Sequence, residues 1–265
     1  EAQEALRGIA RRTPLDRAPK FGENVYIKAE NLQLTGAFKL RGAYNKIRSL
    51  TPEEAARGVI ACSAGNHAQG IALSASRLGI KAVICMPAGA PISKVEATRG
   101  YGAEVVLVPG VYDDAAAEAE RLTKEQGYTF AHPFNDPLVI AGQGTIGLEI
   151  LEQLHWKVPD FIALSVGDGC TIAGLWKGLK DLYAIGFIDR LPRLISAQAE
   201  GCCPINRAIA ENKPWEPMEE NTLADSIAVG VPRNADKALT AIRESDGIVV
   251  NVSDQEIMAA QQLLG

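Results

Sequence analysis

Short apolar runs recur along the chain: Val59-Ile60-Ala61-Cys62, Ala82-Val83-Ile84-Cys85-Met86, Val105-Val106-Leu107-Val108, Phe161-Ile162-Ala163-Leu164, Leu194-Ile195-Ser196-Ala197 and Ile248-Val249-Val250. Each has strand length, and the stretches 113–126, 144–154 and 171–183 between them are long enough for crossover helices over a parallel sheet. The pattern predicts an α/β fold built from βαβ units. Helix starts are marked at Thr51-Pro52-Glu53-Glu54 and Ser253-Asp254-Gln255-Glu256, both capping-box patterns with a structural role. No repeat, low-complexity tract or linker interrupts the chain, so two lobes would be continuous with one another and not a tethered pair.

Composition narrows the function. The 265 residues are 47% hydrophobic and 22% charged, enough for one large domain or two lobes, with no run long enough to cross a membrane. A net charge of −5 without a basic stripe excludes the electrostatic footprint of a nucleic-acid binder, so small molecules are the expected partners. Five cysteines without a CxxC pair, and no signal-peptide pattern, fit a reducing cytoplasm. Cys202 and Cys203 are read as ordinary half-buried thiols, because His67, His132 and His155 offer no ligand spacing beside them; no metal is expected.

Three segments carry candidate chemistry. In Thr35-Gly36-Ala37-Phe38-Lys39-Leu40-Arg41-Gly42-Ala43, Lys39 lies between apolar neighbours at a loop-to-helix start. An amine in such a pocket is driven toward the neutral form that condenses with an aldehyde, although a surface lysine at a helix start gives the same local pattern. In Ser63-Ala64-Gly65-Asn66-His67-Ala68-Gln69-Gly70, small residues follow a strand and open a helix, which suits a carboxylate or phosphate but equally a plain strand-to-helix turn. His67 reads by itself as a hydrogen-bonded framework residue. In Val166-Gly167-Asp168-Gly169-Cys170-Thr171 a second anion loop is expected, with the Asp168 carboxylate turned away from the anion or hydrogen-bonded elsewhere. It is not a P-loop.

The order of lysine, carboxylate-type turn and phosphate-type turn, together with Ala141-Gly142-Gln143-Gly144-Thr145-Ile146-Gly147-Leu148-Glu149, resembles the threonine/serine dehydratases among the pyridoxal-phosphate (PLP) enzymes of fold type II. The resemblance is close over about residues 10 to 155. It implies two lobes with largely parallel sheets, a large PLP-binding domain of residues 1–41 and 142–265, and a small substrate-side domain of residues 42–141. It implies that Lys39 carries PLP as a Schiff base and is the catalytic base. Phe38 and Asn66 would flank the cofactor ring, Gly167, Asp168, Gly169, Cys170 and Thr171 would hold its phosphate, and Ser63, Ala64, Gly65, Asn66 and His67 would bind the substrate. The implied reaction converts L-threonine or L-serine to a 2-oxo acid and ammonia, and a homo-oligomer, dimer or tetramer, is expected.

Several positions depart from that pattern. Asp168, Cys170 and Thr171 depart from the family's tetraglycine phosphate loop, and the stretch Leu191-Pro192-Arg193 through Ala199-Glu200-Gly201 and Val231-Pro232-Arg233-Asn234 look more like threonine synthases. This keeps a threonine-synthase-like replacement enzyme, and a PLP-binding scaffold with little turnover, as alternatives. Serine racemases of the family have a serine where Ala64 stands, so the resemblance implies one-face elimination. Some relatives hold a hard cation with two acids; Glu200 matches one, but Asn206 occupies the place of the other. No segment before Gly265 resembles the family's pyridine-nitrogen partner, which implies a truncated C-terminal end or a substitute for it.

Overall fold

The computed structural model describes residues 1–264. The chain opens with α1 (Ala2–Leu6), β1 (Leu15–Arg17), β2 (Tyr26–Lys28), α2 (Lys39–Arg48) and α3 (Pro52–Arg57). Next come β3 (Val59–Cys62), α4 (Asn66–Leu78), β4 (Ala82–Pro87), α5 (Ile92–Gly100), β5 (Glu104–Val108), α6 (Tyr112–Gln126) and β6 (Thr129–Phe130). The remainder is α7 (Pro137–Gln153), β7 (Phe161–Ser165), α8 (Cys170–Ala184), β8 (Arg193–Ala199), α9 (Pro204–Glu211), α10 (Ala235–Glu244), β9 (Ile248–Val252) and α11 (Asp254–Leu264). All six strands expected from the apolar runs form, each within two residues of its expected ends. The Thr51 and Ser253 capping boxes also form, with Glu54 and Glu256 as their reciprocal partners.

The chain divides into two compact units, one of Glu1–Pro14 with Lys28–Gln143, the other of Leu15–Ile27 with the residues from Gly144 onward. This grouping differs from the division at residues 41 and 142. Residues 28–41 go with 42–141 because α2 is a single helix across residue 41 and lies against α4, where a side chain on Gly70 would meet the Lys39 and Leu40 backbone and Ala43 Cβ. At the other boundary the division falls inside α7, between Gln143 and Gly144.

In the first unit a parallel sheet runs in the order β5-β4-β3-β6. Alternation sorts its side chains. Val59, Ala61, Ile84 and Met86 join the core under α4, whereas Ile60, Cys62, Val83 and Cys85 join the core under α6. Both faces are dry, which is why these strands read as unbroken apolar runs. Burying each valine, isoleucine or methionine side chain among them contributes about 1.5–3 kcal/mol.

In the second unit β7, β8 and β9 form a parallel sheet in that order. Ile162 and Leu194 on one face pack with Leu175 and Leu179 of α8 and Leu239 and Ile242 of α10. The opposite face exposes Phe161, Ile248 and Val250. None of the five cysteines forms a disulfide and all are buried, Cys202 and Cys203 deeper than the half-buried placement expected of them, because the five lie on inner strand faces or at the covered starts of α8 and α9. Burial pushes the Cys85 thiol up to about 12, so it is an inert core group. Among the described residues no helix is long and apolar enough to cross a membrane.

Candidate active site

Lys39 is the first residue of α2 and is half-buried. Its Nζ lies 4.6 Å from the centroid of the Phe134 ring and 5.5 Å from that of Phe38, and donates to the Pro133 carbonyl at a long 3.5 Å. The helix that presents it is anchored two residues on. Arg41 is fully buried and forks onto Glu30, with Nε to Oε2 and Nη2 to Oε1 both at 2.8 Å. A bidentate pair of this kind fixes direction as well as distance, so the start of α2 has one orientation.

The second motif opens α4. Ser63 continues β3, its N–H donating to the Cys85 carbonyl, and its hydroxyl accepts from the Gly65 N–H at 3.2 Å. Ser63, Ala64 and Gly65 are half-buried and Asn66 is exposed. No side chain caps α4, and a Cβ on Gly65 would meet open space. These are the features an anion at a helix N-terminus needs: donor amides without a side-chain competitor, and room in front of them. His67 is different. Its side chain is 2% exposed and turned inward, with Nε2 3.1 Å from the Ala131 carbonyl, so only its backbone belongs to the open end of the helix. Burial, then the nearby Lys39 charge, lowers its pKa to about 3, and the imidazole is neutral.

Sequence reasoning missed the segment that follows β6. His132 Nδ1 accepts the N–H groups of Phe134 and Asn135, Asp136 caps α7 through the Leu138 N–H and pairs with Lys46 at 2.8 Å, and Pro133 and Phe134 meet Lys39. A usable signal existed: the segment leaves the carboxyl end of a parallel strand, where ligands of open α/β sheets gather. The two-residue strand that marks it is too short to announce itself in the apolar pattern.

In the second unit, residues 166–171 turn from β7 into α8. Gly169 adopts φ +87°, and a Cβ there would come within 2.6 Å of Ala238 Cβ, so the bend requires glycine. The Asp168 side chain is 8% exposed and its Oδ1 accepts the Arg233 N–H at 3.0 Å, while its carbonyl accepts from the Asn234 N–H. Asn234 Nδ2 in turn donates to the Gly169 carbonyl at 3.1 Å. The carboxylate is therefore tied to the 231–234 segment, which matches the expectation that its side chain is hydrogen-bonded elsewhere. No side chain caps α8, whose first residues Cys170 and Thr171 are buried and half-buried. Further along, Asn206 is not poised for a cation. Its amide donates to the Ser196 and Val250 carbonyls and Asn251 Oδ1, and Glu200 is exposed at the strand end.

Taken unit by unit, the residues have the chemistry that an aldehyde cofactor carrying a phosphate calls for. The first unit brings together a primary amine walled by two aromatic rings and an uncapped helix start with open space; the second has an uncapped helix start behind a glycine bend whose acid accepts the Arg233 N–H.

The comparisons agree. The chain is 41% identical over 267 residues to the catabolic L-threonine dehydratase of Staphylococcus aureus, spanning 99% of this chain and 74% of that protein. It is 42% identical over 271 residues to the L-threonine ammonia-lyase of Thermotoga maritima, spanning 98% of this chain and 63% of that protein. Among solved structures, maize serine racemase superposes with a TM-score of 0.88 at 31% identity, covering 99% of this chain and 78% of that one. The processed form of threonine deaminase isoform 2 from Solanum lycopersicum gives a TM-score of 0.83 at 34% identity, covering 99% and 76%. Residues 6–265 match the family model described as pyridoxal-phosphate dependent enzyme, and this chain belongs to that family.

Proposed function

We propose that the chain is an ammonia-lyase that converts L-threonine or L-serine to the 2-oxo acid and ammonia. The observation that carries this reading is the Lys39 amine, half-buried between the Phe38 and Phe134 rings at the head of α2, within a motif shared with the dehydratases. The cofactor, when bound, draws electrons from the substrate α-carbon. The chain's own groups do the rest. Backbone amides at the start of α4, with Ser63, Gly65 and Asn66, hold the substrate carboxylate, and residues 167–171 hold the cofactor phosphate. Lys39 Nζ would take the α-proton, the β-hydroxyl would leave with a proton as water, and the released enamine would take up water to give the 2-oxo acid and ammonia. Ala64, a methyl group on the 63–67 turn, offers no second proton donor, which favours elimination over racemisation.

The test is production of 2-oxo acid from L-threonine and L-serine in the presence of added PLP, with O-phosphohomoserine as the competing substrate. Phosphate release from O-phosphohomoserine without 2-oxo acid from either hydroxy amino acid would replace this reading with a threonine-synthase-like one. The five buried free thiols support a cytoplasmic setting. Exposed Phe161, Ile248 and Val250 on a parallel sheet, which is ordinarily covered on both faces, support a homo-oligomer, which light scattering would test.

A further inference from the structure

In the first unit the chain runs outward from β3 through β4 to β5 and then returns to the far side of β3 as β6. The crevice between the carboxyl ends of β3 and β6 is therefore the topological switch point of this sheet. A side-chain hydrogen bond crosses it: His67, after β3, to the Ala131 carbonyl, after β6, at 3.1 Å. The Ala131 N–H is held by the Ile60 carbonyl at 2.8 Å, so both backbone groups of this residue are engaged. Two and three residues later come the Pro133 carbonyl and the Phe134 ring that meet Lys39 Nζ.

The chemistry of His67 suits a tether. A carbonyl oxygen only accepts, so Nε2 carries the proton and Nδ1 is bare; Nδ1 is buried with no hydrogen-bond partner. An unsatisfied buried nitrogen is unfavourable, and an apolar residue would avoid it, but would leave the Ala131 carbonyl without a donor. A lysine or arginine donor would place a second cation beside Lys39. The groups that act on the imidazole electrostatically are Lys39, His132 and Asp136. A neutral imidazole supplies the donor without the charge.

We propose that His67 is a positioning residue for Lys39: its imidazole fixes the Ala131 carbonyl and, through it, the Pro133 carbonyl and Phe134 ring that hold the amine. The proposal rests on the reading that Lys39 carries the cofactor. Acetylation of Lys39 in the full chain, followed by mass spectrometry relative to exposed Lys213, reports how firmly the ammonium is held, independently of turnover. His67→Leu removes the donor and is expected to speed Lys39 labelling about two- to five-fold, the range a lost cation–π contact gives. His67→Gln keeps a donor of similar reach and is expected to restore the wild-type rate. Phe134→Leu is expected to match His67→Leu, and the double variant to exceed neither, because both act through one segment.

A folded His67→Leu protein labelled at the wild-type rate would overturn the proposal, as would His67→Gln labelled as fast as His67→Leu. Should His67→Leu not fold, unchanged labelling in Phe134→Leu overturns it equally. The visible band formed on adding PLP to the same proteins separates the two readings. Its absence in the wild type sinks the cofactor assignment, while the labelling ratios still decide the tether.

Discussion

The Asp168 carboxylate accepts the backbone N–H of Arg233 at 3.0 Å, which ties the turn after β7 to the start of the segment leading into α10. A turn proposed to hold a phosphate tolerates an acid only while its charge is occupied in this way. Asp168→Ala should cost about 1.5–3 kcal/mol through loss of a charge-assisted hydrogen bond and should weaken PLP binding, whereas Asp168→Asn keeps an acceptor and should lose less of both. Urea unfolding and PLP titration measure the two effects; equal behaviour of the two variants would show that the bond does not organise the loop.

Lys39→Ala should remove the visible absorbance that the protein gains with PLP and abolish 2-oxo acid formation, while the fold survives. Lys39 is half-buried at the first position of α2, and its Nζ meets the Phe38 and Phe134 rings and the Pro133 carbonyl, none of which belongs to a hydrophobic core cluster, so its truncation leaves the core in place. Spectrophotometry and circular dichroism on the same sample are decisive. A persistent band would assign the cofactor to another lysine.

The proposed role of Ala64 predicts a change in the balance between products. Ala64→Ser should raise the ratio of racemised to deaminated serine, because it adds a hydroxyl able to exchange a proton at the position where the proposed one-base reading has only a methyl group. Chiral chromatography after incubation with L-serine reads the ratio. Abundant D-serine from the unmodified protein would refute a one-base mechanism.

Gly144 illustrates a motif position that works through packing. A Cβ there would lie 2.5 Å from the Gly174 carbonyl of α8, so Gly144→Ala should destabilise the protein by about 1–3 kcal/mol as the two helices are forced apart. Gly100, at the end of α5 with nothing within 4 Å of its would-be Cβ, is the control: Gly100→Ala should be neutral or stabilising by up to about 1 kcal/mol. Paired thermal or urea melts separate the two cases.

His67 couples stability to pH. Burial and Lys39 lower its pKa from 6.5 to about 3, so the unfolded chain takes up the proton first as the pH falls. Its contribution is complete above the unfolded value near 6.5 and declines on acidification at a slope of up to about 1.4 kcal/mol per pH unit until the folded pKa is reached. His67→Gln lacks this titration. The stability gap between wild type and variant should therefore move in favour of the variant between pH 6.5 and 5, above most carboxylate titrations; a gap independent of pH over that window would show that the histidine is not buried as the free base.

The sequence by itself determined the α/β class, six strands to within two residues, both capping boxes, the place of Lys39 at a helix start and the two turns that open α4 and α8. These are local signals: apolar runs, N-cap residues and contiguous motifs act over a few residues and leave a mark at that scale. What only the tertiary structure decided are the pairings between distant positions. Asp168 meets Arg233 across 65 residues, His67 meets Ala131 across 64, and Lys39 meets Pro133 across 94. The grouping of residues 28–41 with the first sheet follows from the close approach of α2 to α4 at Gly70, and the two-residue β6 is made by its pairing with Val59 and Ile60. None of these has a periodic or compositional signature, because a hydrogen bond or ring contact formed by chain folding depends on where two backbones come together and not on the residues beside either one.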